Sequence, residues 1–216
     1  ACDDTYILTR TWTATDNCGN ETTLSQTINI QDTTDPVLVV PANETVECDG
    51  IPAVGTPTAT DNCDADVAIN YDGEVRTDGA CDDTYILTRT WTATDNCDNT
   101  HTVSQTITVQ DTTPPVLTVP ADETVECDAV PQVGTPTATD NCDADVSIVY
   151  DREIRTDGAC DDTYTLVRTW TATDNCGNET TLSQTITVQD TTPPTIICPA
   201  NITVTADLGQ PDANVT

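Results

Sequence analysis

Residues Thr84–Cys97 read Thr-Tyr-Ile-Leu-Thr-Arg-Thr-Trp-Thr-Ala-Thr-Asp-Asn-Cys. In an extended chain, Tyr85, Leu87, Arg89, Trp91 and Ala93 fall on one side, and Ile86, Thr88, Thr90, Thr92 and Thr94 on the other. A period of two is the signature of a β-strand with one face buried. The outer row of Thr is β-favouring yet wettable. Trp91 alternates into the core and reads as packing rather than as a sugar-stacking platform. Arg89 shares that face, where an internal ion pair or a stack on a ring is expected.

The same run stands at Thr5 to Cys18 and, as TYTLVRTWTATDNC, at Thr163 to Cys176, a spacing of 79 residues. Residues 32–110 align with 111–189 without a gap and differ at 16 positions. So long a period indicates tandem globular modules, since solenoid repeats usually run about 20–50 residues. The chain reads as the C-terminal part of a first module (1–31), two complete modules (32–110 and 111–189) and the start of another (190–216). The joints carry Gln110-Asp111-Thr112-Thr113-Pro114-Pro115, repeated at Gln189 to Pro194 and nearly so at Gln31 to Pro36. Two prolines keep such a joint extended and stiff, which implies a rod. Val103, Ile107 and Val109, and Val146, Ile148 and Tyr150, also alternate. Val116, Val119 and Val125 read as a first strand that Pro120 breaks, at an edge. With turn signals every 8–12 residues and no 3.6-residue period, the expected fold is all-β: tandem immunoglobulin-like β-sandwiches.

Composition narrows function. The formal net charge is −31, with 37 acidic residues against six Arg. A surface of that sign repels nucleic-acid phosphate and anionic lipid. No apolar stretch approaches the ~20 residues of a membrane span. Eleven cysteines without CxxC or CxxH spacings point to structural disulfides in an oxidising, extracellular compartment. Four per module allow three connectivities. Cys81 and Cys97 bracket one long strand and stand roughly 40–50 Å apart at ~3.3 Å per residue, beyond the ~7 Å reach of a disulfide. Tracing strands up and down places Cys48 and Cys81 at one end of the module and Cys63 and Cys97 at the other. The expected pairs are therefore Cys48–Cys81, Cys63–Cys97, Cys127–Cys160 and Cys142–Cys176. Cys2, Cys18 and Cys198 would lack partners only because their modules are incomplete here.

Carboxylates gather in loops. Asp61, Asn62, Asp64 and Asp66 flank Cys63; Asp95 and Asn96 precede Cys97; Asp78, Asp82 and Asp83 surround Cys81. In the next module Asp140, Asn141, Asp143, Asp145 and Asp174 take these places, with Asp111 in the joint. Hard oxygen ligands drawn from several loops suit structural Ca²⁺, which takes six to eight oxygens. EF-hand spacing is absent. Turn-forming Asp and Asn and a halophilic surface are the competing explanations, though halophily would also place acids on the strand faces, which carry Thr.

His101, the one His, has Thr in the other copies and reads as a solvent-facing turn residue. Asn20, Asn43, Asn178, Asn201 and Asn214 open Asn-x-Thr sequons. Paired carboxylates abound, but without an apolar pocket to raise one of them, so no enzyme is expected.

TWTATDNCGN, TVECD, GTPTATDNC and TVQDTTPP together resemble the hyalin-repeat and immunoglobulin-like modules found in tandem in very large bacterial surface proteins, above all adhesins of gliding, type IX-secreting bacteria. The resemblance covers essentially the whole chain. Residues Pro193 to Val204 resemble the opening of the hyalin-repeat form proper; by that likeness Cys198 would pair with a Cys late in its own module. The likeness implies a stalk or adhesive role, with neighbouring modules, self-association into filaments, or a cell-surface or glycan target as partners. A glycan- or ligand-binding array is the alternative. It also implies O-glycosylation at Asp-Thr-Thr, on Thr33, Thr112 and Thr191.

Overall fold

A computed structural model describes residue 2 and residues 4–203; Val204 and the sequon at Asn214 lie outside them. The described elements are all β. Strands β1 (Tyr6–Thr15) and β2 (Glu21–Ile30) form an antiparallel hairpin. The first full repeat then gives β3 (Val37–Val39), β4 (Glu44–Glu47), β5 (Thr58–Thr60), β6 (Ala68–Asp78), β7 (Tyr85–Thr94) and β8 (Thr100–Gln110). The second gives the matching β9 (Val116–Thr118), β10 (Glu123–Glu126), β11 (Thr137–Thr139), β12 (Ser147–Asp157), β13 (Tyr164–Thr173) and β14 (Glu179–Gln189).

Each repeat is a two-layer sandwich of the immunoglobulin-like kind. One layer is the four-stranded sheet β4-β8-β7-β6, the other the pair β3-β5; β10-β14-β13-β12 and β9-β11 are the counterparts. Proline explains how the chain divides between layers. Pro41 and Pro120 follow the short strands β3 and β9. Lacking an N–H, they end that pairing, and the chain crosses to run parallel to β8 and β14 as β4 and β10. The inward residues at this point are Leu38 and Leu117, both buried, whereas Val116 is exposed; the alternation expected around Val116 is thus shifted by one residue.

Two apolar layers fill each sandwich. Leu38, Trp91 and Ala93 form one, and Leu87, Ile107 and Val109 the other. Between them lies a polar level, Arg89 paired in register with Gln105. Arg89 is 4% exposed. It donates to Glu74 Oε2 at 2.6 Å, to the Pro52 carbonyl at 2.9 Å and to the Ala53 carbonyl at 3.2 Å. The expected internal ion pair is present, and Arg168 repeats it on Glu153 at 2.7 Å. Outside, the Thr row is tied strand to strand: Thr90 to Ser104 at 2.9 Å and Thr92 to Thr102 at 2.8 Å.

His101 is exposed, as expected, but stands in a strand rather than a turn. It lies in β8, and its Nδ1 stands 3.0 Å from the Pro36 carbonyl and 3.3 Å from the Leu38 amide. It therefore closes the sandwich edge where the joint enters.

The disulfides also differ from expectation. The bridges are Cys2–Cys97, Cys48–Cys142 and Cys81–Cys176, with Cα separations of 4.8, 5.9 and 5.2 Å. None lies within one repeat, so Cys48–Cys81, Cys63–Cys97, Cys127–Cys160 and Cys142–Cys176 do not form. Cys48 and Cys81 do share an end, but β8 separates their strands in the sheet. Two strand spacings put them roughly 10 Å apart, too far to bridge. Cys63 and Cys97 follow strands of opposite layers, again about 10 Å apart. Cys48, Cys81 and Cys97 instead each meet a cysteine across a joint, and Cys63 stays free.

Candidate metal centre between the repeats

The joint is built by four segments. Linker Asp111 follows β14's counterpart, β8; Asp140 and Asp143 follow β11; Asp174 follows β13; Asp83 precedes β7 in the first repeat. The turn after each long strand is shaped by its first Asp. Asp174 Oδ1 accepts the amides of Cys176 and Asn178 at 2.9 and 2.8 Å, and Oδ2 accepts Asn178 Nδ2 at 2.8 Å. Asp95 does the same with Cys97 and Asn99. These two carboxylates, proposed from sequence as ligands, have their acceptor sites occupied by their own turns.

Asp143 joins two loops. Its Oδ1 accepts the Asp145 amide and its Oδ2 the Asn175 amide at 3.0 Å; Asp64 does so with Asp66 and Asn96. This carboxylate clamp, rather than a Cys63–Cys97 bridge, holds the loops side by side. Asn175 Nδ2 donates across the joint to Asp83 Oδ2 at 2.6 Å, as Asn96 does to Asp4 at 2.9 Å. Asp78 is taken by Arg76 at 2.6 Å on the exposed surface, and the Asp82 carbonyl by the same Arg. Asp66 and Asp145 are exposed. Asn62 and Asn141 point their amides at the neighbouring cysteine sulfurs at 3.1 Å.

Two carboxylates remain. Asp111 is 5% exposed, and its Oδ2 is buried without a partner; Asp140 Oδ2 is buried and unpartnered as well. One oxygen of each lies within 4.8 Å of the other and of Cys142 Sγ. The first joint brings together Asp32, 7% exposed, Asp61 and Cys63, the last a free thiol. At the second joint Cys142 is in a disulfide, offers no thiolate, and leaves hard oxygens as the donors. Burial pushes the Asp111 carboxyl above its ordinary value, and the charges of Asp140, Asp174 and Asp83 add to this against an amide bond from Thr113. Two like charges facing each other in a buried space are unfavourable unless a proton or a cation lies between them. Asp32 was not among the residues singled out from sequence; its equivalence to Asp111 at the preceding joint was the available signal.

The joint is further tied by Glu47. Its carboxylate accepts the Thr112 amide at 3.0 Å, the Thr112 hydroxyl at 2.8 Å and Gln110 Nε2 at 3.1 Å. These bonds, with Gln110's first, hold Glu47 below its usual value. Glu126 repeats the arrangement with Thr191.

The family profile described as "HYR-like domain with 4 cysteines" matches residues 36–109 and again 115–188. The chain belongs to that family. It is 34% identical to Hyalin of Lytechinus variegatus over 226 aligned residues, covering 95% of the chain, and 32% identical to Hyalin of Strongylocentrotus purpuratus over 221, covering 93%. It spans 41% and 18% of those two proteins. Among solved structures, the protocadherin GammaB4 extracellular domain aligns over 84% of the chain and 38% of its own length, at 16% identity and TM-score 0.35. Drosophila N-cadherin EC1-4 aligns over 87% and 59%, at 17% identity and TM-score 0.29.

Proposed function

We propose that the chain is a structural and adhesive repeat segment of a secreted surface or filament protein, with joints closed by disulfides and stiffened into a rod by bound Ca²⁺. The observation that carries this reading is the pair of buried, unpartnered carboxylate oxygens on Asp111 and Asp140, repeated on Asp32 and Asp61. An ion there would draw one ligand from the linker and one from the following repeat, and so fix their relative orientation. Ca²⁺ suits all-oxygen donors and completes its shell with carbonyls or water. Three disulfides support an oxidising, extracellular setting. The role assigned is mechanical, with no catalysis.

In this reading residues 1–31 are the end of a preceding module. The β1–β2 register of Tyr6 to Ile30 matches that of Tyr85 to Val109, with Trp12 in the place of Trp91. Residues 190–216 open another module. The bacterial, type IX-secreted setting rests on the sequence motifs alone, as does O-glycosylation at Thr33, Thr112 and Thr191; sugar on Thr112 would displace its hydroxyl from Glu47.

Melting the oxidised chain in excess Ca²⁺ and then in chelator tests the reading. Saturation at about a hundredfold over Kd contributes about 2.7 kcal/mol per site, roughly 5–10 °C in a chain of this size. An unchanged midpoint would remove calcium. Electron microscopy of secreted material separates filament from single stalk.

A further inference from the structure

Every bridge in the structure obeys one rule. A cysteine near the far end of one repeat joins a cysteine near the start of the next, 94 or 95 residues later. Five cysteines stay unpaired: Cys18, Cys63, Cys127, Cys160 and Cys198. The first four hold repeat positions that are bridged elsewhere. Cys127 and Cys160 stand 79 residues after Cys48 and Cys81, and Cys18 and Cys63 stand 79 before Cys97 and Cys142. At the observed offset each of the four would find its partner outside residues 1–216.

The surface around the far pair agrees. At the occupied joint Cys48, Cys81 and Asp83 are half-buried, while their counterparts Cys127, Cys160 and Asp162 are exposed. The second repeat thus carries, at the same positions, the groups by which the first repeat holds its neighbour.

We propose that Cys127 and Cys160 are the attachment points for a further repeat with cysteines at the positions of Cys142 and Cys176, so that two disulfides close that joint, as Cys48–Cys142 and Cys81–Cys176 close the present one, into a covalent ladder. Each bond forms by thiol–disulfide exchange with a disulfide donor of the secretory compartment. The Cys127 thiolate attacks the donor, giving a mixed disulfide and one donor thiol. The incoming repeat's thiolate then displaces the second donor thiol. Two protein thiols lose two protons and two electrons, and the donor disulfide is reduced to two thiols. Desolvation and then the charges of Asp190, Asp162 and Asp128 raise the Cys127 thiol above its ordinary value, which slows its capture before a repeat has docked.

The test uses the full chain lengthened by a second copy of residues 111–189 placed after Gln189, giving fifteen cysteines against the present eleven. The oxidised protein is alkylated in denaturant without reductant and weighed intact. The ladder leaves five cysteines alkylated, and C127S/C160S raises the number to seven by freeing two partners in the added repeat. A number that does not change means that Cys127 and Cys160 bridge each other, and one that falls by two means that both were free; either overturns the proposal. In the unmutated protein, a peptide of the Cys160 sequence, shared with the added copy and told from that of Cys81 by Thr165 in place of Ile86, should be linked to a Cys176-type peptide, and the absence of any such linkage would contradict the ladder.

Discussion

Asp111 carries opposite consequences with and without a cation. Its carboxyl is raised by burial and then by Asp140, Asp174 and Asp83, so its protonated form favours the folded joint. In chelator that stabilisation is present below the ordinary carboxylate range and is lost as pH rises through the raised value. Glu47 and Glu126 run the other way. Their values are lowered by hydrogen bonds, chiefly from Gln110 and Thr191 respectively, and their contribution is lost as pH falls. D111N should therefore melt higher than the parent in chelator at neutral pH and gain less from Ca²⁺; an identical response of the two chains would sink this assignment. A second residue-scale effect sits in the turn after β7. Asp98 has φ of 69° where Gly19 and Gly177 have 88° and 86°. A left-handed Asp is strained, and Gly relieves this at some cost in chain entropy. D98G should stabilise the first repeat by a few tenths to about 1 kcal/mol in urea titration.

At the scale of elements, the polar level between the apolar layers is the vulnerable one. Arg89→Ala or Arg168→Ala leaves two carbonyls without their donor and a carboxylate without its partner. The expected loss is roughly 3 kcal/mol, measured by denaturant unfolding; a change below about 1 kcal/mol would show that water replaces the guanidinium. The long strands were legible because their period of two is uninterrupted over ten residues, and Arg89 was legible as an inward charge. The short strands were not. Val37–Val39 and Val116–Thr118 are too brief for alternation to tell Val116 from Leu117. His101 was legible as exposed, but its role, closing the edge at Pro36 and Leu38, was not, because it depends on residues 63 and 65 positions away.

Across the whole molecule, the tandem sandwiches were written in the 79-residue period, while the bridges between them were not. Sorting cysteines by end of the module was correct, yet strand order within the sheet and the placement of the next repeat decide who meets whom. The acidic joint was half legible for a related reason. Sequence shows where carboxylates gather, but only the fold shows that Asp95 and Asp174 are used up by their turns while Asp32, Asp61, Asp111 and Asp140 are left facing one another. The bridges make the 216-residue chain testable as it stands. The oxidised monomer should show five alkylatable cysteines by intact mass; three would restore pairing within repeats. Each bridge, closing a loop of over ninety residues, contributes up to about 4.7 kcal/mol. Calorimetric titration of the oxidised chain with Ca²⁺ tests the joint itself. Two ions should bind per chain, one on Asp32 and Asp61 and one on Asp111 and Asp140, with D111N leaving one. No saturable binding, or the same two ions in D111N, would contradict a cation-stiffened joint.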